Sequence, residues 1–469
     1  MLVRTMNTLG ARVSAVFNWT APDPFVLAIL LTLVAALLAL TLGDFPGRAE
    51  GGSRVLFMLD RWRGGEGIWK WLGFGMQMCL VLVTGHALAA SRPVRAVVRA
   101  LASLPRSGPS AAALVGVVAA MFGLLNWGLG LIVGALFARD VARALEQRGV
   151  RAHYPVLAAA GYMGMLVWHG GLSGSAPLTS TTRDGAAKVL PTDALAQLSE
   201  GAGIALTETI FSPLNLIVSV GLLVLIPLVL WLLCPRSDAD VRTIAAFDVP
   251  LEEPAPPRIE NPTLPDRLHH TPVLSTLLAL VLGAAVVRYG FTDGLKSVGL
   301  NEINAAMLAL GLLLHGSTAS YVRAAEDGAR GCAGVILQFP LYAGIMGILA
   351  ASGLIALFSN TLARLGGEST LPVLTFASAG IVNFFVPSGG GQWGIQGPIA
   401  LEAGAAVGVA PGKMIMAVAY GDQLTNMLQP FWALPLLAIT GVKARDIVGY
   451  TAIVMLVAAA WMALWLLVF

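Results

Sequence analysis

Apolar runs of about twenty residues recur along the whole chain, separated by short polar stretches, and their length is that of helices crossing a lipid bilayer. Full spans fall at 24–43, 69–90, 154–178, 209–233, 272–291, 300–316, 334–355, 413–438 and 447–468, nine in all. Two further apolar stretches, 111–137 and 371–400, are too long for one helix and carry LLNWGLG and VNFFVPSGGGQWG at their centres. Asn, Gly and Pro there oppose a helix where lipid forbids bare backbone, so the unwound part must be buried in protein or line a wet cavity. Both are read as re-entrant helical hairpins with their tips at mid-membrane. The predicted fold class is all-α integral membrane, with about nine transmembrane helices plus two hairpins.

Composition agrees: 57% of the residues are hydrophobic and 12% charged, about half the charged share of an ordinary soluble domain. A net charge of +3, with the arginines in short connecting segments, is topology information and excludes a nucleic-acid partner. The start, with Arg4 and Arg12 and no cleavage site after a short apolar run, reads as a cytosolic tail. With the N-terminus inside, the cytoplasmic segments hold 18 Lys/Arg against 8 outside, and the C-terminus is periplasmic. The loop 44–68, with Arg48, Arg54, Arg61 and Arg63, argues against that orientation. Cys79, Cys234 and Cys332 have no metal or disulfide spacing and read as packing residues, with no cofactor implied.

The breaks occur in the same order twice. Tyr162 opens YMGMLVWHGGLSGSAPL and Tyr420 opens YGDQLTNMLQPFWALPL, with Pro177 and Pro435 each fifteen positions on. Asn126 and Asn383 lie 36 and 37 residues before those tyrosines. Residues 1–233 and 300–469 are therefore read as two repeats. A polar linker over 234–271, with its EEPAPPR stretch, and a connecting helix at 272–291 join them. That one extra span starts the second unit from the opposite side, which makes the repeat inverted, an architecture frequent in secondary carriers. Matching interruptions in inverted halves point to a substrate site at the midplane, where freed N–H groups attract anions and carbonyls coordinate cations.

Five segments resemble the bacterial short-chain fatty acid transporter family: GFGMQMCLVLVTGHALA at 73–89, NWGLGLIVGALFAR at 126–139, GGLSGSAPL at 170–178, VPSGGGQWGIQGP at 386–398 and NMLQPFWALP at 426–435. They are spread over nearly the whole chain. The resemblance implies uptake of acetoacetate, butyrate or a similar monocarboxylate across the cytoplasmic membrane. It also implies kinship with an ion-transporter superfamily whose scaffold domains dimerise while a transport domain moves like an elevator. His169 stands where the family commonly has Gly.

Candidate site residues cluster at the breaks. For the substrate these are Asn126, Trp127 and Gly128 at the first tip; Gly171, Ser173, Gly174 and Ser175 in the first broken helix; Ser388, Gly389, Gly390, Gly391, Gln392 and Trp393 at the second tip; and Asn426 and Gln429 in the second broken helix. Three consecutive glycines allow backbone N–H groups to converge on an anion, although small residues also serve close helix packing. For ion coupling, Asn126, Asn383 and Asn426 offer amide groups, or alternatively cap helix ends. Asp422 is an ionisable group at membrane depth, fit to carry a proton or to ligate a cation such as Na⁺. His169 can shuttle protons, or sit neutral and buried. Gln77 and Gln338 either complete a polar lining or bridge helices. Trp127, Trp393 and Trp432, beside the breaks, suit an apolar wall for a short acyl chain, though Trp also anchors at the membrane interface.

Ion-coupled carriage of a short monocarboxylate is thus the leading reading, with a carrier for another small organic anion, such as a dicarboxylate, beside it. An anion channel would need a charged ring that the sequence lacks. An intramembrane enzyme would need a catalytic motif such as HExxH or GxSxG, and neither is found.

Overall fold

A computed structural model describes residues 12, 13, 16, 19, 22–181, 203–237, 240–247, 249, 263–292 and 300–469. The tail at Arg4 and the EEPAPPR stretch of the linker lie outside them. Among the described residues the chain is helical, with no strand.

The helices begin where the sequence supplies caps. Asp23 accepts from the Phe25 N–H at the start of α1 (Pro24–Leu42). Ser107 forms a capping box at α5 (Gly108–Leu125), and Ser212 caps α9 (Pro213–Leu233). Between them lie α2 (Arg54–Arg63), α3 (Leu72–Ala90), α4 (Arg92–Ala102), α6 (Trp127–Gln147), α7 (Tyr154–Gly161) and α8 (Ser175–Thr179). The second half follows with α10 (Leu264–His270), α11 (Pro272–Thr292), α12 (Leu300–His315), α13 (Thr318–Ala329), α14 (Ala333–Ser352) and α15 (Leu354–Ala363). It ends with α16 (Leu371–Phe385), α17 (Gly389–Ala406), α18 (Pro411–Thr425), α19 (Pro430–Thr440) and α20 (Ala444–Val468).

Seven helical stretches among the described residues are long and apolar enough to cross a membrane: 24–42, 72–90, 108–125, 213–233, 272–292, 318–352 and 444–468. Six of them cover expected spans, and 108–125 is the first arm of the first expected hairpin. The expected span at 300–316 is a helix of only 16 residues, and those at 154–178 and 413–438 are broken into short pieces. α1 and α11 are only 17% and 11% buried, so their apolar side chains face lipid.

The first hairpin, α5 with α6, packs on α9, on α7 and on the turn that follows α7. Glycines permit this. A side chain on Gly134 would strike the Gly161 carbonyl, and one on Gly123 would lie 2.5 Å from Gly164 Cα, so backbones meet there directly. In the second half, α16 and α17 both pack on α18. The halves interlock where α19 packs on α6 and where α20 packs on α9 and α7.

A strap of linker ties the halves together at the first turns of α7 and α20. His153 Nδ1 accepts the Arg242 N–H, and His153 Nε2 meets the Tyr450 hydroxyl at 3.0 Å. Arg242 Nη2 in turn donates to Asp446 at 2.8 Å. Burial, reinforced by the Arg242 guanidinium, pushes the His153 imidazole down to about 4 from an ordinary 6.5. Between those values the unfolded chain binds a proton that the folded one refuses, so stability falls as pH falls through this window. Thermal unfolding of the wild type should therefore lose more between pH 6.5 and 4 than that of His153→Gln.

Candidate functional site

Four breaks converge. Asn126 separates α5 from α6, Ser173 lies between the 3₁₀ turns after α7 and the start of α8, Ser388 separates α16 from α17, and Asn426 opens a 3₁₀ turn between α18 and α19. In the first half, Ser173 Oγ accepts the Trp127 N–H at 2.9 Å, so first tip and first broken helix touch. In the second, Asn383 Nδ2 donates to the Asp422 carbonyl (2.7 Å), Thr425 Oγ1 (3.0 Å) and Asn426 Oδ1 (2.9 Å).

Contacts between the halves join these two clusters. The Tyr162 hydroxyl donates to the Asn426 carbonyl at 2.9 Å, and Gln423 Oε1 accepts the N–H groups of His169 and Gly170. A side chain on Gly389 would meet Trp168 at 2.6 Å, His169 at 3.1 Å and Ser175 at 3.3 Å. The second hairpin tip therefore rests on the first broken helix. His169 Nδ1 lies 3.2 Å from Asp422 Oδ1, off the line of a good hydrogen bond, with both side chains almost wholly buried.

Polar groups at this depth are normally paired. Here Asn383 Oδ1, Asp422 Oδ2, Asn426 Nδ2, Gln429 Oε1 and Trp168 Nε1 are buried without a hydrogen-bond partner among the described residues. Such a concentration of unmet hydrogen bonds is costly unless water, a solute or an ion meets them. Beside it stands an aromatic wall: Trp127 lies 5.1 Å from Trp432 and 6.4 Å from Trp168, and Phe74 6.3 Å from Trp127.

Not every candidate points into this region. Asn126 Oδ1 caps α6 by accepting from Gly128 and Leu129, so with Ser173 on Trp127 the first three N–H groups of α6 are taken. Gln392 Nε2 donates to the Ala379 carbonyl and to Gln396, bracing α17 against α16. Trp393 is buried in a separate apolar cluster with Ala176, Ala379 and Val418. Ser388 Oγ caps α17 through the Gly391 N–H, while the first-turn N–H groups of Gly389 and Gly390 have no carbonyl to bond within the helix. Gly171 packs against Leu124 and Gly174 against the His169 carbonyl, so both shape the unwound loop. Gln77 bridges to Asn301, outside the cluster.

Trp168 and Asn215 escaped the sequence reading. Asn215 of α9 donates to the Gly170 and Ile210 carbonyls and accepts from the Tyr420 hydroxyl, pinning the first broken helix to the second half. Its signal was a lone Asn two residues after Pro213 in an otherwise apolar span.

Interrupted helices meeting at a buried polar point inside a multi-pass helical bundle define a membrane transport protein. The model of the short chain fatty acid transporter family matches residues 5–469, and the chain belongs to that family. A candidate short-chain fatty acid transporter of Escherichia coli (strain K12) is 39% identical over 92% of each chain. Another, of Haemophilus influenzae, is 35% identical over the same shares. Among solved structures, the Alcanivorax borkumensis YdaH transporter has a TM-score of 0.43 and 17% identity over 95% of this chain and 97% of that one. Neisseria gonorrhoeae MtrF, titled an antimetabolite efflux pump, has 0.41 and 14% over 96% and 97%. The family is one of transporters, not enzymes.

Proposed function

We propose that the protein carries short-chain fatty acids such as acetoacetate or butyrate across the bacterial inner membrane by secondary active transport, coupled to a cation, H⁺ or Na⁺. The observation that carries this reading is the buried meeting of both broken helices with the Gly389 tip, lined by unpaired polar atoms and walled by Trp127, Trp168 and Trp432. A carboxylate needs converging donors, which the open N–H groups of α17 and the Asn426 amide supply; a short acyl chain needs only an apolar wall. No arginine lies in the breaks, so the anion's charge is balanced by helix dipoles and a co-transported cation held through Asn383, Asp422 and Asn426.

Residues 1–233 and 300–469 act as inverted repeats, joined by the linker and α11. The breaks recur in the same order in each, and the tip of the second rests in the first. Alternating access is of elevator type, in a homodimer with its N-terminus cytoplasmic and C-terminus periplasmic. Purified protein in liposomes should accumulate radiolabelled butyrate only under an inward gradient of H⁺ or of Na⁺, imposed one at a time. Equal accumulation with and without both gradients overturns coupling. Saturable uptake of a dicarboxylate but not of butyrate overturns the substrate class.

A further inference from the structure

The aromatic wall of the site ends in a polar group that nothing around it meets. Trp127 lies 5.1 Å from Trp432, Trp432 4.9 Å from Phe431, and Phe431 4.9 Å from Tyr342, so the rings run without a gap from the first tip to α14. Tyr342 alone in this run carries a hydroxyl. The residue is 1% exposed, and its hydroxyl is buried without a hydrogen-bond partner among the described residues. A hydroxyl stripped of water and left unpaired is a cost that a bound solute can remove.

Helical geometry fixes what Tyr342 faces. At 3.6 residues per turn, Gln338, Tyr342 and Met346 share one stripe of α14, and Gly344 lies on the opposite side, where a side chain would stand 2.5 Å from Trp62 of α2. The contacts of α14 with the second broken helix come in order. A side chain on Gly331, just before α14, would lie 2.7 Å from Ala438, and one on Gly334 would lie 3.2 Å from Leu434. Tyr342 then meets Phe431, and a side chain on Gly391 would lie 3.2 Å from Met346 Sδ. As α14 advances, its neighbours thus move back along α19 to its start and end on the second hairpin tip. Tyr342 stands at the height of the break at Gln429 and Pro430, one turn or about 6 Å from the residue that touches the tip. Gln338 Oε1, on the same stripe, is unpartnered as well.

We propose that Tyr342 is a specificity-determining residue whose hydroxyl donates to an oxygen on the acyl chain of the substrate, so that short oxo and hydroxy acids are preferred to plain acids of the same length. The inference rests on the reading of this site as one for short monocarboxylates. The carboxylate has its donors at the α17 tip and Asn426, whereas Tyr342 belongs to the wall along which the chain lies. A plain butyrate chain fills that wall and leaves the hydroxyl unmet; a 3-oxo or 3-hydroxyl oxygen accepts from it. One such hydrogen bond is worth about tenfold in affinity.

Isothermal titration of the purified protein with butyrate, acetoacetate and 3-hydroxybutyrate tests this. The wild type should bind the two oxygenated acids about tenfold more tightly than butyrate, and Tyr342→Phe should bring that ratio to about one, the loss falling on the oxygenated acids. Phe keeps the ring against Phe431 and removes only the unmet oxygen, so without ligand the variant should unfold at the same temperature as the wild type or higher. A preference that survives in Tyr342→Phe overturns the inference. Equal weakening of all three acids overturns it too, by placing the hydroxyl on the carboxylate, and a lowered unfolding temperature does so by revealing a partner within the fold. If the wild type binds none of the three acids, the substrate reading falls and the inference with it. If it binds all three alike, the inference alone falls.

Discussion

Asp422→Asn should reduce gradient-driven uptake by on the order of 100-fold, the effect of losing about 2.7 kcal/mol of charge-dependent interaction, while expression and size-exclusion behaviour stay as in the wild type. The substitution is nearly isosteric. Asn keeps an oxygen facing His169, and the Asp422 main-chain carbonyl still receives Asn383 Nδ2. What disappears is the ability to be charged. A site permanently neutral resembles the loaded carrier and has no cation to release, so the cycle stops after binding. Proteoliposome accumulation beside a chromatogram of the same preparation checks the claim. Wild-type uptake in the variant would show that coupling does not pass through this carboxylate.

The spans were legible because lipid imposes one crude rule, about twenty apolar residues, and α1, α3, α9, α11, α14 and α20 obey it. The breaks were legible for the converse reason, since Asn126, the glycines at 389–391 and Pro430 each deny the helix something it needs. The ends of the first hairpin were not. A hydropathy window stops before Arg139, yet α6 runs on to Gln147, because Asp140 pairs with Arg139 at 3.1 Å and with Arg143 at 3.4 Å. Short polar helices such as α2 and α13 give no spanning signal and were missed.

Within the site, type and spacing found the right neighbourhoods but not the direction of side chains. Asn126 and Asn383 look equivalent in sequence, but one caps a helix end and the other is wholly buried inside α16, holding the second broken helix together. Helical rotation turns Gln392 and Trp393 away from the tip that Ser388 and Gly389 form. The meeting of His169 with Asp422 joins residues 253 positions apart, and only packing between the halves could reveal it.

The same packing separates two adjacent glycines that sequence cannot tell apart. A methyl group on Gly390 would meet nothing within 4 Å, whereas one on Gly389 would lie 2.6 Å from Trp168 and 3.1 Å from His169. Trp168 cannot retreat, because it is stacked on His169 at 4.3 Å and edged by Trp127 at 6.4 Å. Gly389→Ala should therefore force the second tip off the first broken helix, at the ~1–3 kcal/mol that overpacking costs, and lower uptake by about tenfold or more. Gly390→Ala should transport like the wild type and be marginally more stable, since Ala favours a helix over Gly by about 1 kcal/mol. Uptake and thermal unfolding of the two variants, purified side by side, test this directly. If glycines 389–391 served only as an open anion cradle, the substitution at the exposed Gly390 would do the greater harm, and that reversed order would remove the tip contact from the mechanism.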